Sequence, residues 1–301
     1  MLVSVIVCTY GRSQSLGRVL DCLQAQSYPG IQVIVVEGQA DAKAAAHEAP
    51  ARYAGPVQYI QSPKGLTIQR NAGLRHATGD LVCFLDDDVS FENGFVAKIA
   101  ALFDRPEMQD VGGVTGYDVL HYPTPVNLRW RLRWLLGAIP SLRPGDADHL
   151  GRAVPVSFLK PYAGCLEVGW LSGFCMIYRR SAIAGLEFDR KLPTYGGEDR
   201  DFSLQVARRA RLMLCGDLEL RHHYSAETRD DDVERVYQTG FGVGRRFAKY
   251  ARGLADYWTV AKSFLGDLAV DLLVFAARPS RLTFHSIFAR TSGFFEGFRS
   301  V

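Results

Sequence analysis

The sequence predicts an α/β protein, with a mostly parallel central sheet flanked by helices and a helical region at the C-terminal end. Three observations carry this. Short β-branched runs alternate with helical stretches through about residue 115, and that alternation produces parallel strands joined by right-handed crossovers. The runs are apolar at successive positions, as strands covered on both faces are. From about Asp230 the character changes: residues 240–301 hold nine Lys/Arg, four Asp/Glu and twelve aromatic residues, a helical and amphipathic composition.

The elements follow in order. Residues 3–9 (VSVIVCT) form a buried strand. Residues 13–26 place Leu16, Val19, Leu20 and Leu23 on one helical face, and Pro29-Gly30 turns the chain. Strands are expected at 31–36 and 57–60, with a helix at 40–48 between them. A helix at 67–76, a Gly79-Asp80 turn, a strand at 81–85, a helix at 92–103 and a strand at 111–115 complete the alternating part. Residues 117–165, with NLRWRLRWLLGAIP at 127–140, fit no strand of the sheet and read as an insertion. Regularity returns with a strand over 167–178, a helix opening near Glu198 and paired strands around 212–222. The expected division is a sheet domain over 1–225 and a basic, aromatic helical appendage over 226–301.

At 301 residues and 48% hydrophobic, the chain can bury a large core, and a formal charge of +3 argues against nucleic acid as a partner. Six scattered cysteines show neither CxxC nor zinc spacing and read as small core residues, which suits a reducing cytoplasm. No secretory leader is expected, since strand-like residues begin at Leu2. No apolar run approaches the roughly 20 residues that span a bilayer; the segment 268–277 is broken by Asp271. Residues 127–140 suit a surface helix with snorkelling arginines or a membrane- or acceptor-facing segment, and residues 240–301 suit a helical cap on the sheet domain, a contact with a second copy, or amphipathic helices at an anionic membrane surface.

The chemistry begins at LVCFLDDDVSF, residues 81–91, where a buried strand runs into Asp86, Asp87 and Asp88. Adjacent carboxylates repel, and desolvating one costs several kcal/mol unless a cation compensates it. A solvated turn is the plain explanation. Position favours another, because ligands of parallel sheets bind beyond the strands' carboxyl ends. Thr9-Tyr10, Glu37 and the triplet each follow a strand, so they should meet along one edge. Carboxylates there suit Mg²⁺ or Mn²⁺ shared with substrate phosphates. A second acidic cluster, Gly196-Gly197-Glu198-Asp199-Arg200-Asp201, opens a helix. Acids in a first turn complement the helix dipole, and one on a rigid helix end can also act as a general base. Third, His222-His223 ends a strand, where an imidazole can complete a metal's ligands.

In this order, VSVIVCTYGR (3–12), VIVVEG (33–38), TIQRNAGLRHATGDLVCFLDDDV (67–89), GGEDRDFSLQVARR (196–209) and ELRHH (219–223) resemble the family-2 glycosyltransferases of the GT-A (Rossmann-like) fold. The likeness covers roughly residues 1–225. It implies an inverting transfer from a nucleotide-diphosphate sugar to an acceptor hydroxyl, in polysaccharide or glycolipid assembly. By position, Thr9, Tyr10, Arg12, Glu37 and Arg70 would line the donor, with Asp86 and Asp87 beside it. Asp88, Asp86 and His222 would hold the metal, with His223 an alternative to His222. Asp199 would be the catalytic base, beside Glu198. The acceptor would be a glycan or a lipid-linked glycan, met in the cytoplasm or at the inner face of the plasma membrane.

Two departures touch the nucleotide pocket. The family's Asp-Asp-Gly-Ser is Glu37-Gly38-Gln39-Ala40 here, and Gly11 replaces an asparagine. Three competing functions use the same acids. A nucleotidyltransferase would need a basic glycine-rich loop after the first strand, where CTYGRSQS has one glycine and one arginine. A metal-dependent sugar-nucleotide hydrolase would release sugar without an acceptor. A non-catalytic sugar-nucleotide-binding protein would not need the base.

Overall fold

A computed structural model describes residues 1–38, 53–224 and 232–301. Four parallel strands form one half of a mixed sheet: β1 (Val3–Thr9), β2 (Ile31–Gly38), β3 (Val57–Ser62) and β4 (Leu81–Asp86). The other half contains β5 (Val89–Ser90), β6 (Val111–Asp118), β7 (Cys165–Val168), β8 (Cys175–Arg179) and β9 (Arg211–His222). The order is β3-β2-β1-β4-β8-β6-β9-β5, with β7 paired to β9. β8 runs antiparallel between β4 and β6, while β6 and β9 are parallel.

Alternate residues of β1 feed two cores. Val3, Val5 and Val7 pack with Leu16, Val19, Leu20 and Leu23 of α1 (Ser13–Gln24), while Ile6 packs with Phe84, Phe188 and Phe202 on the opposite face. Helices α2 (Leu66–His76), α3 (Phe95–Phe103) and α5 (Glu198–Ala207) complete the layers; α4 (Leu128–Leu135) lies in the segment expected as an insertion. The helix expected at 40–48 lies outside the described residues. The one expected from residue 92 starts at Phe95, after Gly94 at φ +102°.

Three expectations need correction. The strand expected over 167–178 is two strands, β7 and β8, separated by residues 169–174, which carry Gly169 and Gly173. The paired strands expected around 212–222 are one twelve-residue strand, β9. Gly216 suggests a turn, but a Cβ there would lie 2.0 Å from the Tyr162 carbonyl oxygen, so this glycine serves a close backbone approach. Finally, Cys83 and Cys175 are buried core residues, but Cys165 and Cys215 face each other in the β7–β9 register and form a disulfide. The cysteines therefore no longer argue for a reducing compartment.

After the sheet come α6 (Asp232–Tyr250), α7 (Leu254–Ala277) and α8 (Arg281–Arg299). They share a small core of Phe247, Tyr250, Val260 and Phe294 that also takes Leu204 of α5 and Leu150. The C-terminal region is thus tied to the helix that opens with Glu198. Among the described residues no helix is long and apolar enough to cross a membrane.

Candidate active site

Register assembles the site's first side. Thr9 stands beside Glu37, and Cys8 beside Asp86, so the carboxyl ends of β1, β2 and β4 meet at one edge. Glu37 is buried and receives the Tyr59 hydroxyl and the Gly11 amide, the latter at 3.4 Å. Gln69 on α2 donates to the carbonyls of Thr9 and Val36, at 2.7 and 3.0 Å, fixing both strand ends. The Tyr10 ring lies under the Lys64 ammonium, 4.6 Å from its centroid.

The aspartate triplet divides by direction. Asp87, 3% exposed, turns inward, where Thr9 Oγ1 donates at 2.7 Å and Arg12 Nη1 at 3.1 Å. Burial pushes this carboxyl up to about 6, against the lowering effect of Arg12 and Thr9. Thr9, Arg12 and Asp87, expected along the donor, therefore brace the turn through one another. Asp86 and Asp88 face the other way and meet His222. The imidazole Nε2 is 2.9 Å from Asp88 Oδ1 and 3.9 Å from Asp86 Oδ2. Antiparallel pairing of β5 with β9 sets Val89 opposite His222, which explains the meeting. His222 is further held by Phe174, stacked at 5.4 Å, and by its amide, which donates to Asp118. Burial lowers the imidazole's proton affinity, but the Asp88 hydrogen bond and the two carboxylate charges outweigh it and raise it overall.

One ligand atom from each of Asp86, Asp88 and His222 lies within 4.8 Å of the others. Two hard oxygens and an imidazole nitrogen suit Mn²⁺ or Mg²⁺, with further positions left for water or phosphate oxygens. His223 is excluded from this group by strand alternation. It faces outward, its Nε2 2.8 Å from Ser90 Oγ.

The second acidic cluster reaches the first through Arg70. This buried guanidinium donates to Glu198 Oε1 at 2.8 Å, to Asp86 Oδ1 at 3.2 Å and to the Gly173 carbonyl at 2.9 Å. Burial opposes its charge, and Glu198 and Asp86 more than restore it. Glu198 is pushed up to about 7, first by burial and then by the adjacent Asp199 charge, with Arg70 opposing. Asp199 is half-buried; its carboxylate accepts from the Gly173 amide at 3.1 Å and the Arg200 amide at 2.7 Å. Gly173, in the break between β7 and β8, thus touches both Arg70 and Asp199. A strand through 167–178 would not have formed this junction.

Sequence reasoning also missed Arg246, on α6. Its side chain is 1% exposed and clasps the carbonyls of Gly196 and Gly197, the latter at 3.1 Å, directly before Glu198-Asp199. Burial and the neighbouring Arg200 charge lower its pKa to about 9. The same helix anchors Asp201 through Lys249 Nζ and the Tyr250 hydroxyl, each at 2.8 Å. No motif marks Arg246. Its only sequence signal is an arginine in a glycine-rich helix, GFGVGRRF.

Arg70 thus ties the strand-end acid Asp86 to Glu198 of the helix-borne pair, and the comparisons give the fold as GT-A and the family as one of glycosyltransferases. The family model described as Glycosyl transferase family 2 matches residues 4–186, and the chain belongs to that family. The succinoglycan biosynthesis protein ExoM of Rhizobium meliloti is 26% identical over 300 residues, covering 95% of this chain and 89% of ExoM. The amylovoran biosynthesis glycosyltransferase AmsB of Erwinia amylovora is 37% identical over 111 residues, 35% of this chain and 37% of AmsB. Among solved structures, S. aureus TarS 1–349 superposes with a TM-score of 0.58 at 16% identity, over 99% of this chain and 81% of that one. The mannosyltransferase PcManGT from Pyrobaculum calidifontis, in complex with GDP-Man and Mn²⁺, gives 0.59 at 18% identity, over 97% and 86%. These likenesses establish the fold, and family membership makes the protein a sugar-transferring enzyme.

Proposed function

We propose that the protein is an inverting, metal-dependent transferase that moves a sugar from a nucleotide-diphosphate sugar to an acceptor hydroxyl of a growing, lipid-linked glycan. The observation that carries this reading is the Arg70 junction, which joins Asp86 of the Asp86–Asp88–His222 group to Glu198, next to Asp199. Asp86, Asp88 and His222 would hold Mn²⁺ or Mg²⁺, which would supply positive charge to the departing diphosphate. Asp199 takes the proton from the acceptor hydroxyl as that oxygen attacks the anomeric carbon opposite the diphosphate. Backbone amides of Gly173 and Arg200 keep its carboxylate aimed. One base and one displacement need no covalent sugar–enzyme intermediate. Tyr10, Arg12, Glu37 and Arg70 line the donor side, with Thr9 and Asp87 bracing it. The likeness to ExoM, a succinoglycan biosynthesis protein, and to AmsB, an amylovoran biosynthesis glycosyltransferase, supports a glycan acceptor. The expected site of action is the cytoplasm or the inner face of the plasma membrane.

A screen of nucleotide sugars with Mn²⁺ or Mg²⁺, reading nucleoside diphosphate release with and without glycan acceptors, tests the proposal. Acceptor-stimulated, chelator-sensitive release is expected. Release at the same rate without any acceptor would make the protein a hydrolase, and release unaffected by chelator would remove the metal.

A further inference from the structure

Segments 127–140 and 254–299, far apart in sequence, meet on one side of the molecule. Arg129 and Arg133 of α4 bind Asp271 and Asp267 of α7, each at 2.7 Å. α7 and α8 lie side by side, with Phe264 against Phe295 at 5.4 Å and Phe275 against Phe284 at 5.9 Å. Both helices also present apolar residues to solvent, Phe284 and Phe295 among them. On α7, Trp258, Leu265 and Leu272 follow helical spacing on the side opposite the buried Ser263 and Val270. On α8, Phe284, Phe288 and Phe295 do the same, opposite Gly293 and Gly297, which press against α6. These six side chains are between 45% and 66% exposed. Each stripe runs for roughly 15–20 Å along its helix. A soluble surface seldom leaves so much contiguous apolar area uncovered.

Charge decides what covers it. The two aspartates in the middle of α7 are already paired, with Asp271 also taking Arg290. Arg278 and Arg281 at the α7–α8 turn and Lys262 on α7 are exposed and have no ion-pair partner among the described residues. Arg278, Arg281 and Lys262 thus set positive charge beside the apolar stripes. An anionic lipid surface answers both features, because acyl chains take the apolar stripe and headgroups the cations. We infer that the α7–α8 face is a membrane-docking surface that lies in the headgroup region of an anionic bilayer. The inference extends the proposed lipid-linked acceptor. Docking by this face would carry the α6 clasp on Gly196-Gly197, and with it Asp199, to the membrane.

Flotation of the full chain with phosphatidylcholine vesicles, with and without phosphatidylglycerol, tests the inference without donor, metal or turnover. Binding to the anionic vesicles at low salt is expected, weakening as salt rises. The double variant Arg278→Gln/Arg281→Gln should bind them on the order of tenfold to thirtyfold less tightly. The surface variant Leu272→Glu/Phe288→Glu should lose binding while keeping its unfolding temperature and its nucleotide release with a soluble acceptor. Equal binding to both vesicle types at low salt, or anionic-vesicle binding unaffected by Leu272→Glu/Phe288→Glu, would overturn it. So would a dimer, seen by light scattering, that the same variant dissolves, since that would give the face to a second copy. A chain that transfers sugar yet ignores vesicles refutes only the docking; one that floats yet transfers nothing refutes only the transferase reading.

Discussion

Gly242 on α6 is the position where the C-terminal helices bear most directly on catalysis. A Cβ built there would lie 1.8 Å from the Gly196 carbonyl oxygen and 2.5 Å from its carbonyl carbon. Both obstacles are backbone, so no side chain can rotate away. Restoring even a tight contact of about 3.0–3.4 Å needs the helix and the Gly196-Gly197 segment to part by roughly 1–1.5 Å. That segment leads into Glu198-Asp199, and its carbonyls are the ones Arg246 clasps. A misplacement of about 1 Å in a reacting group can cost on the order of 100-fold in rate, and the overpacking itself about 1–3 kcal/mol of stability. Gly242→Ala should therefore lower kcat by on the order of 100-fold while donor affinity, set at the β1, β2 and β4 ends, stays within a few-fold. Gly297→Ala is the control: its Cβ would strike the Phe241 carbonyl at 2.0 Å, parting α6 from α8 without touching the Gly-Gly segment. It should lower the unfolding temperature with much less effect on kcat. Steady-state kinetics beside calorimetric donor titration would separate the two variants. Full turnover in Gly242→Ala, or equal kcat losses in both, would refute the idea that α6 positions the base.

Other expectations follow from the same geometry. Asp199→Asn should bind donor normally and lose transfer by about 10²–10⁴; unchanged turnover would remove Asp199 from the mechanism. His222→Ala should weaken Mn²⁺ binding, measured by calorimetry or paramagnetic resonance, at least tenfold, whereas His223→Ala should leave it alone because that ring faces Ser90. Replacing Arg70 with Met would strip a buried partner from Glu198 and Asp86 together, and a loss of about 3–5 kcal/mol in denaturant unfolding is expected; a loss below about 1 kcal/mol would mean the junction is solvated.

The division between what the chain declared locally and what folding settled is clear at the histidines. Adjacent strand residues point to opposite faces, so one of His222 and His223 had to face the acids. Only the pairing of β5 with β9, which sets Val89 opposite His222, decided which. The turn between β4 and β5 sets Asp87 inward to Thr9 and Arg12 while its neighbours meet the histidine. The break at Gly169–Gly173 lay hidden inside an apolar run, because strand periodicity reports burial and not which strand is the neighbour.

By itself the sequence determined the alternation of strand and helix, the buried parallel strands and the acids at their ends, because these depend on short-range pattern. It also carried the acid pair at the start of α5. The tertiary structure alone decided the insertion of β8 between β4 and β6, the Cys165–Cys215 disulfide, the Arg70 junction and the grip of Arg246 on the loop before Asp199. Each of these joins residues about 50 or more positions apart, and no local pattern specifies which distant partner a strand, a thiol or a guanidinium will find.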